Sequence, residues 1–374
     1  MSTLDRRDVL KWLGSAAATG GMGLVQSSQA AANEGDACGK TAPPRIKIGQ
    51  IGVGHAHADK LAVYRNSPDY EVVGIVEPNE QLRRSAQSKA VYRDLPWMTQ
   101  DELLSLPGLE AVLVETEVRD LLSATEACIA AGKHVHLDKP AGDSLSHYRR
   151  ILEAAEKQRL LVQMGYMFRY SPAVILLREF LANGWLGEIF EVHAVMSKVL
   201  DPATRKQLGE YPGGIMFELG CHVIDLVLGI LPDPDKITPF ARKTASGDDR
   251  LIDNMLAVFE YPRATAAVRS TGIEVEGFAR RHLTVCCTRG TFHIQPLDSP
   301  AVRLSLSAPI TDSASGRSYK KGVQEITLPK FPRYVGDAAD MAHIIRGEKA
   351  SDFSYAHDLA VQSAVLQASG VPLT

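Results

Sequence analysis

The 374-residue chain predicts an α/β fold in two parts, a parallel, helix-covered half followed by a β-rich half. Three features predict it. An apolar run enters a Gly-x-Gly turn at Ile51-Gly52-Val53-Gly54, and a helical stretch follows from Ala58 to Asn66. Apolar strands then alternate with helices through Asp138, the pattern of a parallel sheet covered on both faces. Beyond residue 188 the pattern changes to β-rich runs joined by short turns.

The bulk properties agree with this. At roughly 150 residues per domain the length suggests two domains. Hydrophobic residues make up 45% and charged residues 23%, enough for an ordinary globular core. The formal net charge of −3 supplies no basic bias for nucleic acid or an anionic membrane, so neither is expected as a partner. The five cysteines (Cys38, Cys128, Cys221, Cys286, Cys287) are an odd count with no zinc-like spacing and no disulfide framework.

The N-terminus reads as a targeting segment. Arg6-Arg7 precede an apolar stretch from Trp12 to Val25, and small residues at Ser28-Gln29-Ala30 or Ala30-Ala31-Ala32 offer a cleavage site. This is the order of a twin-arginine export signal over residues 1–32, which predicts a periplasmic or cell-envelope location. An amphipathic N-terminal helix is the plainer reading, but it does not account for that order. Residues 33–44 read as a linker. Twin-arginine export carries folded proteins, so a soluble cofactor would be acquired before export.

Residues 45–165 read as a dinucleotide-binding domain. Gly52 permits the tight turn, and Gly54 lets the backbone approach a pyrophosphate at the positive end of the following helix. His57 replaces the third glycine of the usual fingerprint, and His55 lies in the same turn. The strand Val72–Val76 ends at Glu77, 25 residues after Gly52. A carboxylate there accepts ribose hydroxyls and repels a 2′-phosphate, which favours NAD. Arg83 and Arg84 follow closely and keep NADP as the alternative. A strand over 111–116, a helix over 123–131 stopped by Gly132, and a strand over 134–138 complete the alternation. Gly54, Glu77, Thr116 and Lys139 then all lie at carboxyl ends of strands, where ligands bind in such sheets.

Two segments carry chemistry. Lys139, in Asp138-Lys139-Pro140, sits at a strand end, where desolvation and a cationic nicotinamide would lower its pKa. The apolar run Ile215–Leu231 predicts one helix whose strongly polar side chains are Glu218, His222 and Asp225. Their i, i+4, i+7 spacing puts them within about 60° of one another on one face. Buried carboxylates and an imidazole are costly unless paired or used. Gly213-Gly214 before this helix allow a close approach. A metal site was weighed on His134, His136 and Asp138, or on Glu218 and His222. No complete ligand set with a familiar spacing appears, so no metal is expected.

Together these segments resemble the glucose–fructose oxidoreductase, inositol dehydrogenase and rhizopine catabolism (Gfo/Idh/MocA) oxidoreductases. The resemblance rests on Ile51-Gly52-Val53-Gly54, on Ala131-Gly132-Lys133-His134-Val135 leading into Asp138-Lys139-Pro140, on Gly165-Tyr166-x-Phe168-Arg169-Tyr170-x-Pro172, and on Gly213-Gly214 leading into Glu218-x-Gly220-x-His222-x-x-Asp225. It runs from about Arg45 to the end. It implies a Rossmann domain and a C-terminal α/β domain over 166–350 with a large, mainly antiparallel open sheet that often mediates homo-oligomers. It further implies that Lys139 and His222 flank the reacting carbon, with His222 as general base or acid. Glu218 and Asp225 would orient His222 or bind substrate hydroxyls, Tyr166 would bind substrate, and Arg169 would lie near cofactor or substrate. The chain departs from the family pattern at Asp138 (usually Glu), Glu218 (usually Asp) and Glu117 (usually Pro).

The second half fits a sheet on its own terms, with β-rich runs at 189–199, 254–261, 264–270, 282–287 and 291–295. Residues 311–322 read as a surface loop, and the chain closes (351–374) with a helix over 355–369. The expected activity is hydride transfer from a sugar or polyol hydroxyl to a tightly held NAD. The rivals are a glycosidase or lyase using transient oxidation, and a non-catalytic sugar-binding relative.

Overall fold

The computed structural model describes residues 43–312 and 316–373. The signal segment and all but the last two residues of the linker lie outside them.

Five strands form the first sheet: β1 (Ile46–Ile51), β2 (Tyr70–Val76), β3 (Leu109–Val114), β4 (His134–Leu137) and β5 (Val162–Met164). They pair in parallel in the order β2-β1-β3-β4-β5. Helices cover both faces, so β1 and β3 are buried on both sides and read as continuous apolar runs. The order reverses between β1 and β3. The Gly52 turn opens at that switch point, where a crevice forms beyond the strand ends.

The second sheet has eight strands. They are β6 (Ile189–Ser197), β7 (Lys236–Arg242), β8 (Asn254–Glu260), β9 (Thr265–Thr271), β10 (His282–Cys287), β11 (Gly290–Ile294), β12 (Val302–Leu306) and β15 (Gly322–Ile326). Their order is β15-β12-β11-β10-β6-β9-β8-β7, with only β6–β9 parallel. In β8 and β10 buried and half-buried residues alternate, as in a sheet with one covered face. The helices Cys221–Leu228 and Tyr355–Ala368 pack together on the covered side.

Several expectations need correction. The segment read as a loop holds a small hairpin, β13 (Ile310–Thr311) with β14 (Ser318–Tyr319). Strands β7 and β15 escaped the sequence reading because they are sheet edges with mostly exposed side chains, and β7 also contains Pro239. The helix Val335–Ile345 was likewise not foreseen. It returns to the first sheet and adds Ala338, Met341 and Ala342 to the core around Ile48, Tyr64 and Tyr70. The Tyr70 hydroxyl donates to the Ala338 carbonyl at 2.7 Å. No helix among the described residues is long and apolar enough to cross a membrane.

Candidate active site

The helix expected over 215–231 is not one α-helix. A π-helical turn, Met216–Gly220, runs into the α-helix Cys221–Leu228. Gly220 permits the wide turn to pack, since a Cβ there would lie 2.4 Å from Met216 Sδ. The Ser270 hydroxyl donates to the Ile215 and Met196 carbonyls at 3.2 and 2.8 Å, tying the turn to β6. The π turn changes the angles between the three polar residues and sends them to different partners.

Glu218 faces Lys139. The buried Lys139 ammonium donates to Glu218 Oε1 at 3.0 Å and to its carbonyl at 2.8 Å, while Tyr211 donates to Oε2 at 3.3 Å. Burial, the largest effect, would lower the Lys139 pKa, but Glu218, Cys221 and Asp138 together outweigh it and the net shift is upward. This reverses the sequence expectation. Glu218 is in turn held below its ordinary value by Lys139 despite burial. The pair is therefore ionised.

His222 lies beside them, 2% exposed, between the rings of Phe168 at 5.6 Å, His57 at 5.9 Å and Tyr166 at 6.2 Å. Its buried Nδ1 has no hydrogen-bond partner. Burial, then the charges of Lys139 and His57, push its pKa well below 6.5, so the imidazole is neutral near pH 7 and free to accept a proton.

Asp225 is turned the other way. Arg169 Nε and Nη2 grip its carboxylate at 2.9 and 2.5 Å, and Nη2 also reaches Asp358 at 2.6 Å. The guanidinium stacks on Phe353 at 3.9 Å and on Tyr166 at 5.0 Å. Asp225 and Arg169 are both nearly inaccessible and are paired with each other and with Asp358, so Asp225 makes no hydrogen bond to His222. They hold the Tyr166–Phe168 segment against His222.

The dinucleotide loop is built by close approach. Gly52 has φ +90°, and a Cβ there would sit 2.4 Å from the Thr116 amide nitrogen. Thr116 itself is buried, its hydroxyl donating to the Glu117 carbonyl at 3.0 Å. Glu77 accepts the Val53 and Asn79 amides at 2.9 Å each, so it also ties the glycine turn to the end of β2. The Gly54 and Ala56 amides have no acceptor among the described residues. An open turn with free amides fits a dinucleotide phosphate. Gly52→Ala is expected to cost about 1–3 kcal/mol through backbone strain and contact with Thr116, and to lose bound dinucleotide. Thermal melting and chromatography of released nucleotide would check both.

His55 and His57 divide their roles. His55 is locked inside, with Nδ1 at 2.8 Å from Asp138 Oδ2 and Nε2 at 3.0 Å from the Lys139 carbonyl. His57 stands at the cleft between His222 and Tyr334, with Nδ1 at 3.3 Å from Asp138.

Beneath them lies a charge network that sequence reasoning missed. The buried Lys60 ammonium is 2.9 Å from Glu115, 2.9 Å from Asp138 and 3.0 Å from His136 Nε2. The signals were slight: one lysine in a short helix and one acid ending an apolar strand. The set His134, His136 and Asp138 weighed for a metal does not assemble, because His134 accepts the Leu161 amide at 2.9 Å while His136 binds Lys60 and Gln163. His55, His57 and Asp138 do bring ligand atoms within 4.8 Å of one another. The Lys60 ammonium already supplies positive charge at that carboxylate.

Burial is the main reason that His57 and His136 are both lowered to about 3. The unfolded chain binds protons at these imidazoles near pH 6.5 and the folded chain does not. Their contribution to stability is therefore complete above about pH 6.5 and declines as pH falls toward 3. Melting temperatures across that range should fall with acidity, and His136→Gln should flatten the slope.

Both halves match models of one family: the Rossmann-fold, NAD-binding "Oxidoreductase family" model over residues 46–166, and the "GFO/IDH/MocA C-terminal domain" model over residues 174–293. The chain belongs to the GFO/IDH/MocA oxidoreductase family. A trans-1,2-dihydrobenzene-1,2-diol dehydrogenase from Macaca fuscata fuscata is 27% identical over 221 residues, 58% of this chain and 65% of that protein. The match thus spans a little under two thirds of that relative. The scyllo-inositol 2-dehydrogenase (NADP(+)) IolW of Bacillus subtilis is 26% identical over 201 residues, 52% of this chain and 54% of that protein. The fold is shared with UDP-N-acetylglucosamine 3-dehydrogenase GnnA from Acidithiobacillus ferrooxidans, at TM-score 0.70 and 17% identity over 88% of this chain and 97% of that one.

Proposed function

We propose that this GFO/IDH/MocA protein is an NAD-dependent dehydrogenase that oxidises a secondary hydroxyl of a sugar or polyol. One observation carries the reading: a neutral, unbonded imidazole, His222, stands beside the ionised Lys139–Glu218 pair at the carboxyl ends of the strands. The relatives named above act on a diol, an inositol and a nucleotide sugar by their names.

A dinucleotide held at the Gly52–Gly54 turn and Glu77 would supply the hydride acceptor. The protein's own residues do the rest. His222 takes the hydroxyl proton at a ring nitrogen that has no protein partner. The Lys139 ammonium, fixed by Glu218, donates a hydrogen bond to the same oxygen and stabilises its developing negative charge. Tyr166 and Phe168 wall off water from the imidazole.

Two features support NAD over NADP. The Glu77 carboxylate ends β2, and Arg83 and Arg84 are both paired with Glu80 rather than left for a 2′-phosphate. The twin-arginine segment supports export with the cofactor tightly held, and the exposed face of the eight-stranded sheet supports a homo-oligomer. Denaturing the purified protein and identifying the released dinucleotide tests this reading. Stoichiometric NAD(H) is expected. A protein that carries none and fails to bind any would overturn the dehydrogenase reading.

A further inference from the structure

One short segment of the second half reaches across to the first. It begins after β6, where the Leu200 amide donates to the Gly272 carbonyl at 2.9 Å. The helix Pro202–Leu208 follows, capped by the Asp201 carboxylate, which accepts the Ala203 and Thr204 amides at 3.0 Å each. Its inner side is fixed. Leu208 enters the core, and Arg205 binds Asp249 at 2.9 Å and the fully buried Asp253 at 2.8 Å. The segment ends at Gly213 and Gly214, with φ +94° and +56°. The Ile215 amide then returns to the Ile252 carbonyl at 2.9 Å.

The outer side is fastened to the first half. Gln207 Nε2 donates to Glu117 Oε1 at 3.5 Å, and Arg119 Nη2 donates to Glu210 Oε2 at 3.5 Å. Arg119 also pairs with Glu117 at 3.1 Å. The Glu117 side chain lies against the glycine turn, since a Cβ on Gly54 would sit 3.0 Å from Glu117 Cγ. Next to Glu210, the Tyr211 hydroxyl donates to Glu218 Oε2 at 3.3 Å. The stretch from Gln207 to Tyr211 thus joins the rim of the glycine turn to the Lys139–Glu218 pair, across at most about 14 Å.

The two sides differ in strength. The inner contacts are buried and charge-assisted. The outer ones are long and exposed, and contacts of that kind contribute little each. Such a segment stays rooted in the second half while its tip can lift and settle. Proline, the usual residue of the family pattern at position 117, offers no side-chain acceptor to Gln207 and no charge to Arg119.

We infer that residues 207–211 latch over a seated dinucleotide, fastened on Glu117 and Arg119, and slow its release between turnovers. A dinucleotide with its phosphates on the Gly52–Gly54 turn and its reacting ring before Lys139 passes under this stretch. The inference rests on the dehydrogenase reading above for that placement. It gives the tightly held cofactor a device built from this chain's own residues.

The test needs no substrate. The protein is loaded with NADH and mixed with excess NAD+, and the fall in NADH fluorescence gives the release rate. Gln207→Ala/Glu210→Ala removes both fastenings, and Glu117→Pro removes their other side at a φ of −59° that proline adopts. Both variants are checked for native melting. Each should release NADH about 3- to 10-fold faster than the wild type. Each also removes a negative charge, so an effect acting only on the phosphates would slow release instead. In the wild-type protein, the amides of residues 205–211 should exchange with deuterium more slowly when NADH is bound. Release that is unchanged or slower in both variants overturns the latch, and so does exchange that ignores NADH. A wild-type protein that binds no NADH fails at the loading step, which sinks the dehydrogenase reading and the latch with it.

Discussion

Replacing His222 by Ala is expected to lower turnover about 10²-fold or more while bound dinucleotide stays in place. The imidazole is a neutral base against the Tyr166 and Phe168 rings, and it makes no contact with the glycine turn among the described residues. Lys139→Ala should produce a loss of similar size by another route. It removes the donor to the developing alkoxide and leaves Glu218 buried without its cation. The double variant Lys139→Ala/Glu218→Gln should regain stability but not rate, which separates the chemical role from the structural one. The wild-type pH profile adds a second readout. Because His222 is held neutral well below 6.5, the acid limb of kcat/KM should lie below the ordinary imidazole range. Near-normal rates in both single variants would remove these residues from the mechanism.

The second large effect concerns stability. Lys60→Met is expected to cost about 3–5 kcal/mol, read as a lower urea midpoint, because it strips the ammonium from two buried carboxylates at once. Glu115 is already raised by burial and by Asp138, so it has least need of the charge. Lys60→Met/Glu115→Gln should therefore recover part of the loss, and the remainder measures the need of Asp138 for a cation. A single variant with the wild-type midpoint would mean that His55 and His57 suffice to hold Asp138.

What the sequence made legible and what it hid follow from the same physics. The parallel sheet was legible because strands buried on both faces leave uninterrupted apolar runs, as in Leu109–Val114. Glu218 and His222 were legible because polar side chains in an apolar helix must have a reason to be there. Asp225 was grouped with them because an α-helical period was assumed. The π turn shifts Glu218 relative to the helix behind it, and it depends on Gly220 and Ser270 meeting across 50 residues, while Asp225 is drawn off by Arg169 from another segment. Lys60 was hidden because a lone lysine in a short helix reads as solvated, and its partners come from two other strand ends.

The triad of Arg169, Asp225 and Asp358 also sets an order of events during synthesis. Arg169 reaches its second carboxylate across 189 positions, from a helix that forms almost at the end of the chain. While a ribosome is still adding residue 358, the guanidinium has only Asp225, and the wall behind His222 has no final anchor. The glycine turn and the Thr116 backbone it packs against are complete some 240 residues earlier in the chain, so a nucleotide can find its cradle long before the imidazole that serves it is fixed in place.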